Sequence, residues 1–361
     1  MQIPPGSGGR TADKLRAMTE FSWSEVLGTI SRGGDLNRTQ ARQAMRQVMG
    51  GLASPAQIAG LIVALRMKGE TVEEMGGLVD GMVEAAVRVD LGDADPVDIV
   101  GTGGDRSGTF NISTTASFIA AGAGIPIAKH GNRSMSSKCG SADVLEALGV
   151  IIDLPAERNR RLFMDTGYAF FLAPVYHPAM RFAGPVRKEL GIPTVFNFLG
   201  PLSNPAGVRK YALGVADGRM AERMVRVLSL RGSERALVFH GSDGLDELTL
   251  SGPSVVWQLD GGQVSRTEVS PRGVGLGPAP VTDLLGGTAE VNAGITRRVL
   301  EGEPGPCRDV TLLNAAAAIA ASGRTDDLAE AVAIAAESID SGSAGEVLDR
   351  VVARSRELAA G

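Results

Sequence analysis

Val97-Asp98-Ile99-Val100-Gly101-Thr102-Gly103-Gly104-Asp105, followed by Gly108-Thr109-Phe110-Asn111-Ile112-Ser113-Thr114, is the stretch on which the reading of this chain turns. Val97 to Val100 is a short β-rich run, and the glycines after it let backbone N–H groups converge on an anion without Cβ interference. Asn111 to Thr115 then supplies polar side chains at the start of a helix expected over Ser113 to Ala123. Unpaired amides and the helix dipole favour phosphate there. The P-loop spacing G-x-x-x-x-G-K and the dinucleotide fingerprint G-x-G-x-x-G are both absent. Taken alone, the same residues also suit a tight βα turn with a helix cap.

The next expected strand, Ile125 to Ala128, runs into a second polar loop, Lys129-His130-Gly131-Asn132-Arg133-Ser134-Met135-Ser136-Ser137-Lys138-Cys139-Gly140-Ser141. Through Asp143 it concentrates three cations, four serines and two glycines before a helix expected over Ala142 to Leu148. A solvated basic loop is the plain alternative, but a pyrophosphate rewards this density through charge-assisted hydrogen bonds. Two such loops after consecutive parallel strands face one edge of a sheet, where ligands of α/β folds bind.

Outward from this centre the grammar is α/β. Upstream, Ser22 to Val89 is helical, with apolar three- and four-residue spacing over Thr39–Met49, Pro55–Lys68 and Val72–Ala86. Ser54 before Pro55 reads as an N-cap, and Thr71 with Glu74 as a capping box. Downstream, Met180 to Leu190 and the segment after Thr194 read as helical or irregular. Ala212–Val215 and Arg235–His240 read as strands, Thr249–Val269 as antiparallel strands, and Val310–Ala321 and Asp326–Ile339 as helices. No internal repeat is visible. The expectation is a small all-helical domain, residues 22–91 with 178–208, and a larger α/β domain, residues 92–177 with 209–361, built on a mainly parallel sheet. Residues 1–21 read as a polar leader.

Bulk composition narrows the classes. The 361 residues carry a formal net charge of -5 and 4% aromatics, against a broad basic face or stacking platforms for nucleic acid. Two cysteines, Cys139 and Cys307, give no disulfide framework and no thiolate cage. Cys139 beside Lys138 suits either a somewhat acidified thiol or packing. No apolar run reaches spanning length and no signal-peptide core is present, so the expected compartment is the cytoplasm.

The motifs together carry a resemblance. Asp98-Ile99-Val100-GTGGD, Thr109-Phe110-NIST and KHGNRSMSSKCGSAD resemble the donor-binding segments of the anthranilate phosphoribosyltransferase family. Ala173-Pro174 with Tyr176-His177-Pro178-Ala179-Met180, Pro185-Val186-Arg187-Lys188-Glu189-Leu190-Gly191, Thr194 to Pro205, and His240 to Glu247 agree in order and spacing. The resemblance extends from Ser22 to the C-terminus. It implies transfer of the phosphoribosyl group of 5-phosphoribosyl 1-pyrophosphate (PRPP) to anthranilate, the second step of tryptophan biosynthesis from chorismate. Gly101, Gly104, Asp105, Thr109, Asn111, Ile112, Ser113 and Thr114 match donor-holding positions. So do Lys129, His130, Gly131, Asn132, Arg133, Ser134, Met135, Ser136, Ser137 and Ser141. Gly101, Asn132 and Arg187 match positions that contact anthranilate. Ser113, Asp246 and Glu247 match ligands of two Mg2+ ions. Arg106 departs from the family by placing a cation after GTGGD. A homodimer through the helical unit is also implied.

On residue chemistry alone, Asp246-Glu247 reads as a surface turn and Arg187 as a helix-surface arginine. Arg187 also suits a bidentate grip on a benzoate carboxylate. His130, His177 and His240 lie in motif loops and read as polar site walls rather than zinc ligands. No general base stands out. A pyrimidine nucleoside phosphorylase-like enzyme and a non-catalytic nucleic-acid-binding relative are the competing readings. The acid pair and the KHGN loop favour the transferase over the first, and the acidic composition argues against the second. Hinges are expected near Gly92–Pro96 and Gly191–Asn204.

Overall fold

The computed structural model describes residues 21–134 and 138–360, so most of the expected leader and Met135, Ser136 and Ser137 lie outside the described residues. Four helices open the described chain: α1 (Trp23–Ser31), α2 (Arg38–Met49), α3 (Pro55–Lys68) and α4 (Val72–Glu84). Their ends are fixed locally. Ser54 and Thr71 form the expected caps, each with a reciprocal side chain at the third helical position, Gln57 and Glu74. Glu74 also accepts from Leu36 N at 2.9 Å and pairs with Lys68, which joins α2's approach to α4.

The sheet has the order β3-β2-β1-β4-β5-β6-β7, with β1 (Val97–Gly101), β2 (Ile127–Gly131), β3 (Tyr168–Leu172), β4 (Lys210–Gly214) and β5 (Arg235–Gly241) parallel. β6 (Ser254–Asp260) and β7 (Gln263–Val269) complete it as an antiparallel hairpin, turned at Gly261-Gly262 rather than spanning all of Thr249–Val269. Strand order reverses between β1 and β4, and that is where a crevice opens at the carboxyl ends of the strands. Helices α5 (Ile112–Gly122), α6 (Ser141–Leu148) and α7 (Ala156–Thr166) connect the first three strands. The excursion between β3 and β4 carries α8 (Ala173–Tyr176), α9 (Gly184–Leu190) and α10 (Phe196–Leu199), and α9 and α10 pack on the helical unit. α11 (Gly218–Leu230) follows β4, and α12 (Ala289–Leu300), α13 (Pro306–Ser322), α14 (Leu328–Asp340) and α15 (Ser343–Ala360) close the chain.

Period-two alternation sorts the sheet into two faces. Val97, Ile99, Ile127, Phe170, Leu237 and Phe239 pack with α5, α6 and α12–α14. Val100, Ala128, Phe171, Leu213 and Val238 pack with the helical unit and α11. β2 starts and ends later than expected and takes in Lys129 and His130, which pair with Phe170 and Phe171. Neighbouring on one strand, these two side chains leave on opposite faces.

The carboxyl edge of the sheet is closely packed. A Cβ on Gly214 would overlap the Asp246 carbonyl, and one on Gly101 would overlap the Asp246 carboxylate. The linker into β4 is held at several residues: Gly200 O faces His130 Nδ1 at 3.2 Å, Leu202 O accepts from Arg231 at 2.9 Å, and Ser203 O faces His177 Nε2 at 2.9 Å. Asn204 donates to Asp98 and to Ala128 O, both at 2.8 Å. Arg231 also pairs with Asp80 of the helical unit, which Arg38 holds from the other side. Residues 200–204 are therefore a clamp within the expected Gly191–Asn204 hinge, tied to β1, β2, α11 and His177.

Burial pushes the His177 imidazole down to about 4. Its folded value lies below the unfolded one, so its contribution to stability is present at neutral pH and is lost as pH falls from about 6.5 through about 4. His177→Gln is expected to remove this dependence: the wild-type advantage in Tm should shrink steadily between pH 7 and pH 4, measured by thermal denaturation. Gly214→Ala should cost about 1–3 kcal/mol of unfolding free energy by overpacking. Gly277→Ala, in open space, should stay within about 0.5 kcal/mol in the same denaturant titration.

Candidate functional site

The loop after β1 turns through Gly103 and Gly104, both at positive φ, and Arg106, at φ 60° the only such non-glycine among the described residues. An L-residue there costs on the order of 1 kcal/mol. The turn is held by Asp105, which accepts from Ser107 N at 3.2 Å and Ser107 Oγ at 2.9 Å. Gly103 and Gly104 are exposed at the sheet edge beside the start of α5.

Asp246 and Glu247 are brought onto this loop from the segment after β5. Asp246 Oδ2 accepts from Gly103 N at 2.6 Å, and Glu247 Oε1 accepts from Ser113 N at 3.0 Å. They are not a surface turn, because Glu247 is buried and Asp246 half-buried. Burial raises the proton affinity of both; the neighbouring Asp105 charge adds to the effect on Asp246, and Asp246 adds to that on Glu247. Such a pair is costly as two bare anions and gains from a cation.

Lys129 supplies one positive charge from the α5 side. Only 2% exposed, it donates to the Ile99 carbonyl and reaches Ser113 Oγ at 3.5 Å. Burial lowers its pKa, and the charges of Asp98, Glu247 and Asp246 oppose that shift. On the other face His130 is neutral, its pKa pushed down to about 3 by burial and by His177, whose ring centroid is 5.2 Å away. Its Nδ1 serves Gly200 O, which leaves Nε2 a buried acceptor without a partner among the described residues. Asp98, raised to about 7 by burial, accepts from His130 N at 3.0 Å and from Asn204. His240 faces the carbonyl of Val215 and packs on Gly218.

The second loop meets itself through Ser141 Oγ, which donates to Asn132 O at 3.2 Å, while Gly131 gives way to Ser141. Arg133 is bound to α6, to Asp143 at 2.9 Å and Glu146 at 2.8 Å. Cys139 is buried and its thiol is pushed up to about 11 by burial and the Asp143 charge, so it is a packing group and not an acidified nucleophile. Thr114 is buried, its Oγ1 without a hydrogen-bond partner among the described residues, and Thr109 bridges to Leu285. Ile112 is buried in the core, where its side chain offers packing while its position starts α5.

Arg187 stands apart from the donor loops. It is half-buried in α9 with its guanidinium 5.1 Å from the centre of the Phe196 ring, and burial lowers its pKa. Among the described residues no carboxylate pairs with it, which leaves a desolvated cation receptive to an anion. Asn204, Asp98 and Asn292 carry no chemical signal of their own in the sequence: Asp98 and Asn204 lie inside family-like motifs, whereas Asn292 is preceded only by the Gly286-Gly287 pair. A polar-lined cleft of about 420 Å³ lies at the opposite end of β1 and β4, among Asp90–Pro96 and Ala206–Arg209, away from all these groups. No helix among the described residues is long and apolar enough to cross a membrane.

Comparison with known proteins agrees over nearly the whole chain. The family described as "Glycosyl transferase family, a/b domain" matches residues 93–345, and "Glycosyl transferase family, helical bundle domain" matches residues 24–86. The chain is 54% identical over 325 residues to an anthranilate phosphoribosyltransferase of Roseiflexus castenholzii, covering 90% of this chain and 95% of that one. Its fold is similar to the anthranilate phosphoribosyltransferase structure from Thermus thermophilus, with TM-score 0.88, 44% identity, and coverage of 92% of this chain and 99% of that chain. The Saccharomyces cerevisiae enzyme in complex with PRPP and Mg gives TM-score 0.85 at 28% identity, covering 94% and 99% respectively. In complex with 4-fluoroanthranilate it gives TM-score 0.83 at 28% identity, covering 93% and 99%. By residues matched, identity and shape, this chain belongs to the anthranilate phosphoribosyltransferase family.

Proposed function

We propose that the two loops at the carboxyl edge of β1 and β2 hold PRPP while Arg187 holds anthranilate, so that this chain carries out its family's transfer. The single observation behind this reading is the meeting of Asp246 and Glu247 with the backbone amides of Gly103 and Ser113, beside buried Lys129. An anion-binding loop, a buried cation and two carboxylates at one point suit a metal-bound diphosphate. They do not suit a lone phosphate.

Asp246, Glu247 and the Ser113 hydroxyl fit Mg2+, which prefers hard oxygen ligands and keeps several waters. Among the described residues no group of three or more His, Cys, Asp or Glu is arranged as a complete metal cage, so substrate oxygens and water must fill the shell. Bound there, two Mg2+ would neutralise charge on the leaving pyrophosphate. Lys129 and the loop amides stabilise the same developing charge, which makes catalysis mainly electrostatic and positional. The amine nitrogen of anthranilate forms the bond to the ribose carbon as the bond from that carbon to pyrophosphate oxygen breaks. The amine enters neutral and sheds a proton afterwards, so no strong base is required.

Arg187 is suited to the carboxylate of anthranilate because it is desolvated, unpaired among the described residues and braced by Phe196. Its distance in sequence and packing from the donor loops supports a closing motion of the helical domain, residues 22–91 with 178–208, on the α/β domain, residues 92–177 with 209–361. Given the clamp at 200–204, that motion turns at Gly92–Pro96 and between Gly191 and Thr194. A homodimer through the helical domain and a cytoplasmic site of action are parts of the same reading and rest on the family resemblance.

Loss of anthranilate fluorescence on mixing protein, PRPP and Mg2+ tests the whole reading. Arg187→Ala should raise KM for anthranilate roughly 10- to 100-fold, the worth of a charged hydrogen bond, with little change in KM for PRPP. Equal effects on both substrates would refute its assignment. Replacing both Asp246 and Glu247 with alanine should lower kcat/KM by about 100-fold or more and weaken activation by Mg2+. An unaltered magnesium titration would remove the metal from these residues.

A further inference from the structure

α12 belongs to no segment given a role above, yet it reaches the donor site at two points. Asn292, 2% exposed, donates from Nδ2 to Asn111 Oδ1 at 2.9 Å. One turn further on, Thr296 Oγ1 lies 2.8 Å from Thr115 Oγ1, and Thr115 in turn donates to Asn111 O at 3.1 Å. Each pair is spaced by four residues, so one face of α12 matches one face of α5 and its entry. The segment leading to α12 pairs with the first loop: Phe110 N donates to Leu284 O and Gly286 N to Gly108 O, both at 2.9 Å. A Cβ on Gly286 would press on Asn292 Oδ1 and the Phe110 backbone, so this approach needs glycine.

The hydrogen bonds have a fixed polarity. Asn292 Oδ1 accepts from Gly287 N at 2.7 Å, and a backbone N–H can only donate. This turns Asn292 Nδ2 toward Asn111, which must present its oxygen. The Asn111 Nδ2 is thereby directed to the carbonyl of Cys139 at 3.3 Å, and a carbonyl can only accept. Cys139 Sγ also donates to Asn111 Oδ1 at 3.2 Å. The chain Gly287–Asn292–Asn111–Cys139 thus joins the first anion loop to the end of the second, with every amide orientation determined from both ends.

We propose that Asn292 is a positioning residue for the diphosphate site: by fixing the orientation of Asn111 it holds the two donor loops in their mutual register. The proposal rests on the donor-site reading above. An aspartate at 292 keeps the acceptor for Gly287 but sets a second oxygen against Asn111 Oδ1. Asn111 must then turn over, and its oxygen meets the Cys139 carbonyl.

The test compares Asn292→Asp and Asn292→Ser with wild type in steady-state kinetics, and in calorimetric titration with inorganic pyrophosphate and Mg2+. Asn292→Asp should raise KM for PRPP about 10-fold and weaken pyrophosphate binding in proportion, with KM for anthranilate changed less than about 2-fold. In an Asn111→Ala background the same substitution should add less than about 2-fold, because the Asn292–Asn111 hydrogen bond through which it acts is already gone. Equal changes in both KM values, a full additional effect without Asn111, or failure of both variants to fold would make Asn292 a core residue and overturn the proposal. Wild type that neither binds pyrophosphate nor depends on PRPP would instead overturn the donor-site reading. Wild-type behaviour in both variants would overturn the role of Asn292 alone.

Discussion

Close approach at the carboxyl edge of the sheet is the constraint on which the other features depend. β2, β1, β4 and β5 all end in glycine, at Gly131, Gly101, Gly214 and Gly241, and at each a Cβ would meet another group. At Gly101 and Gly214 that group is Asp246 itself. Removing side chains from this edge lets the Asp246-Glu247 segment fall across the ends of β1 and β4 and place its carboxylates against loop amides. With a methyl group at Gly214 the acids would be displaced from the strand reversal, where a parallel sheet opens its crevice.

Around that edge, charges are gathered that no one of them would tolerate alone. Lys129 is dehydrated, Asp98 is dehydrated, and the two carboxylates above them share one another's field. Each is tied to backbone rather than to a freely moving partner: Lys129 to Ile99, Asp98 to His130, Asp246 to Gly103 and Glu247 to Ser113. Groups held in this way need little reorganisation when a highly charged ligand arrives or departs, which is the physical meaning of electrostatic preorganisation. The polar clamp at Gly200–Asn204 extends the same logic to the path leading from the helical unit.

What could be read from the sequence is what is local. The GTGGD turn, the caps at Ser54 and Thr71, and the strand-loop-helix succession are written in neighbouring residues, and the structure has them. The Tyr168–Leu172 strand escaped because all five of its residues are buried, so it shows no alternation. Polar side chains signal exposure, so Lys129 and His130 read as loop residues, yet pairing with that strand extends β2 through both. The acid pair resembled a surface turn for the same reason: what buries Glu247 is a glycine-cleared edge assembled from distant strands. Arg133 reads with the phosphate loop, and its partners Asp143 and Glu146 lie on the helix beyond it, within reach only once α6 has formed. Asn292 lies 181 residues from Asn111, a separation at which composition and spacing carry no signal.

β2 sends Lys129 toward α5 and His130 toward the Gly200 linker, so one five-residue strand addresses two different walls of the molecule. Their separation depends on parity, not on distance. A single inserted or deleted residue between Ile127 and Lys129 would exchange them, delivering an ammonium group to the imidazole's carbonyl partner and an imidazole to the serine-lined wall. Substitutions in this strand can be absorbed one at a time, but changes in its length cannot. The count of residues from Ile127 to Gly131 is therefore fixed by the pleat of the strand, whatever side chains fill it.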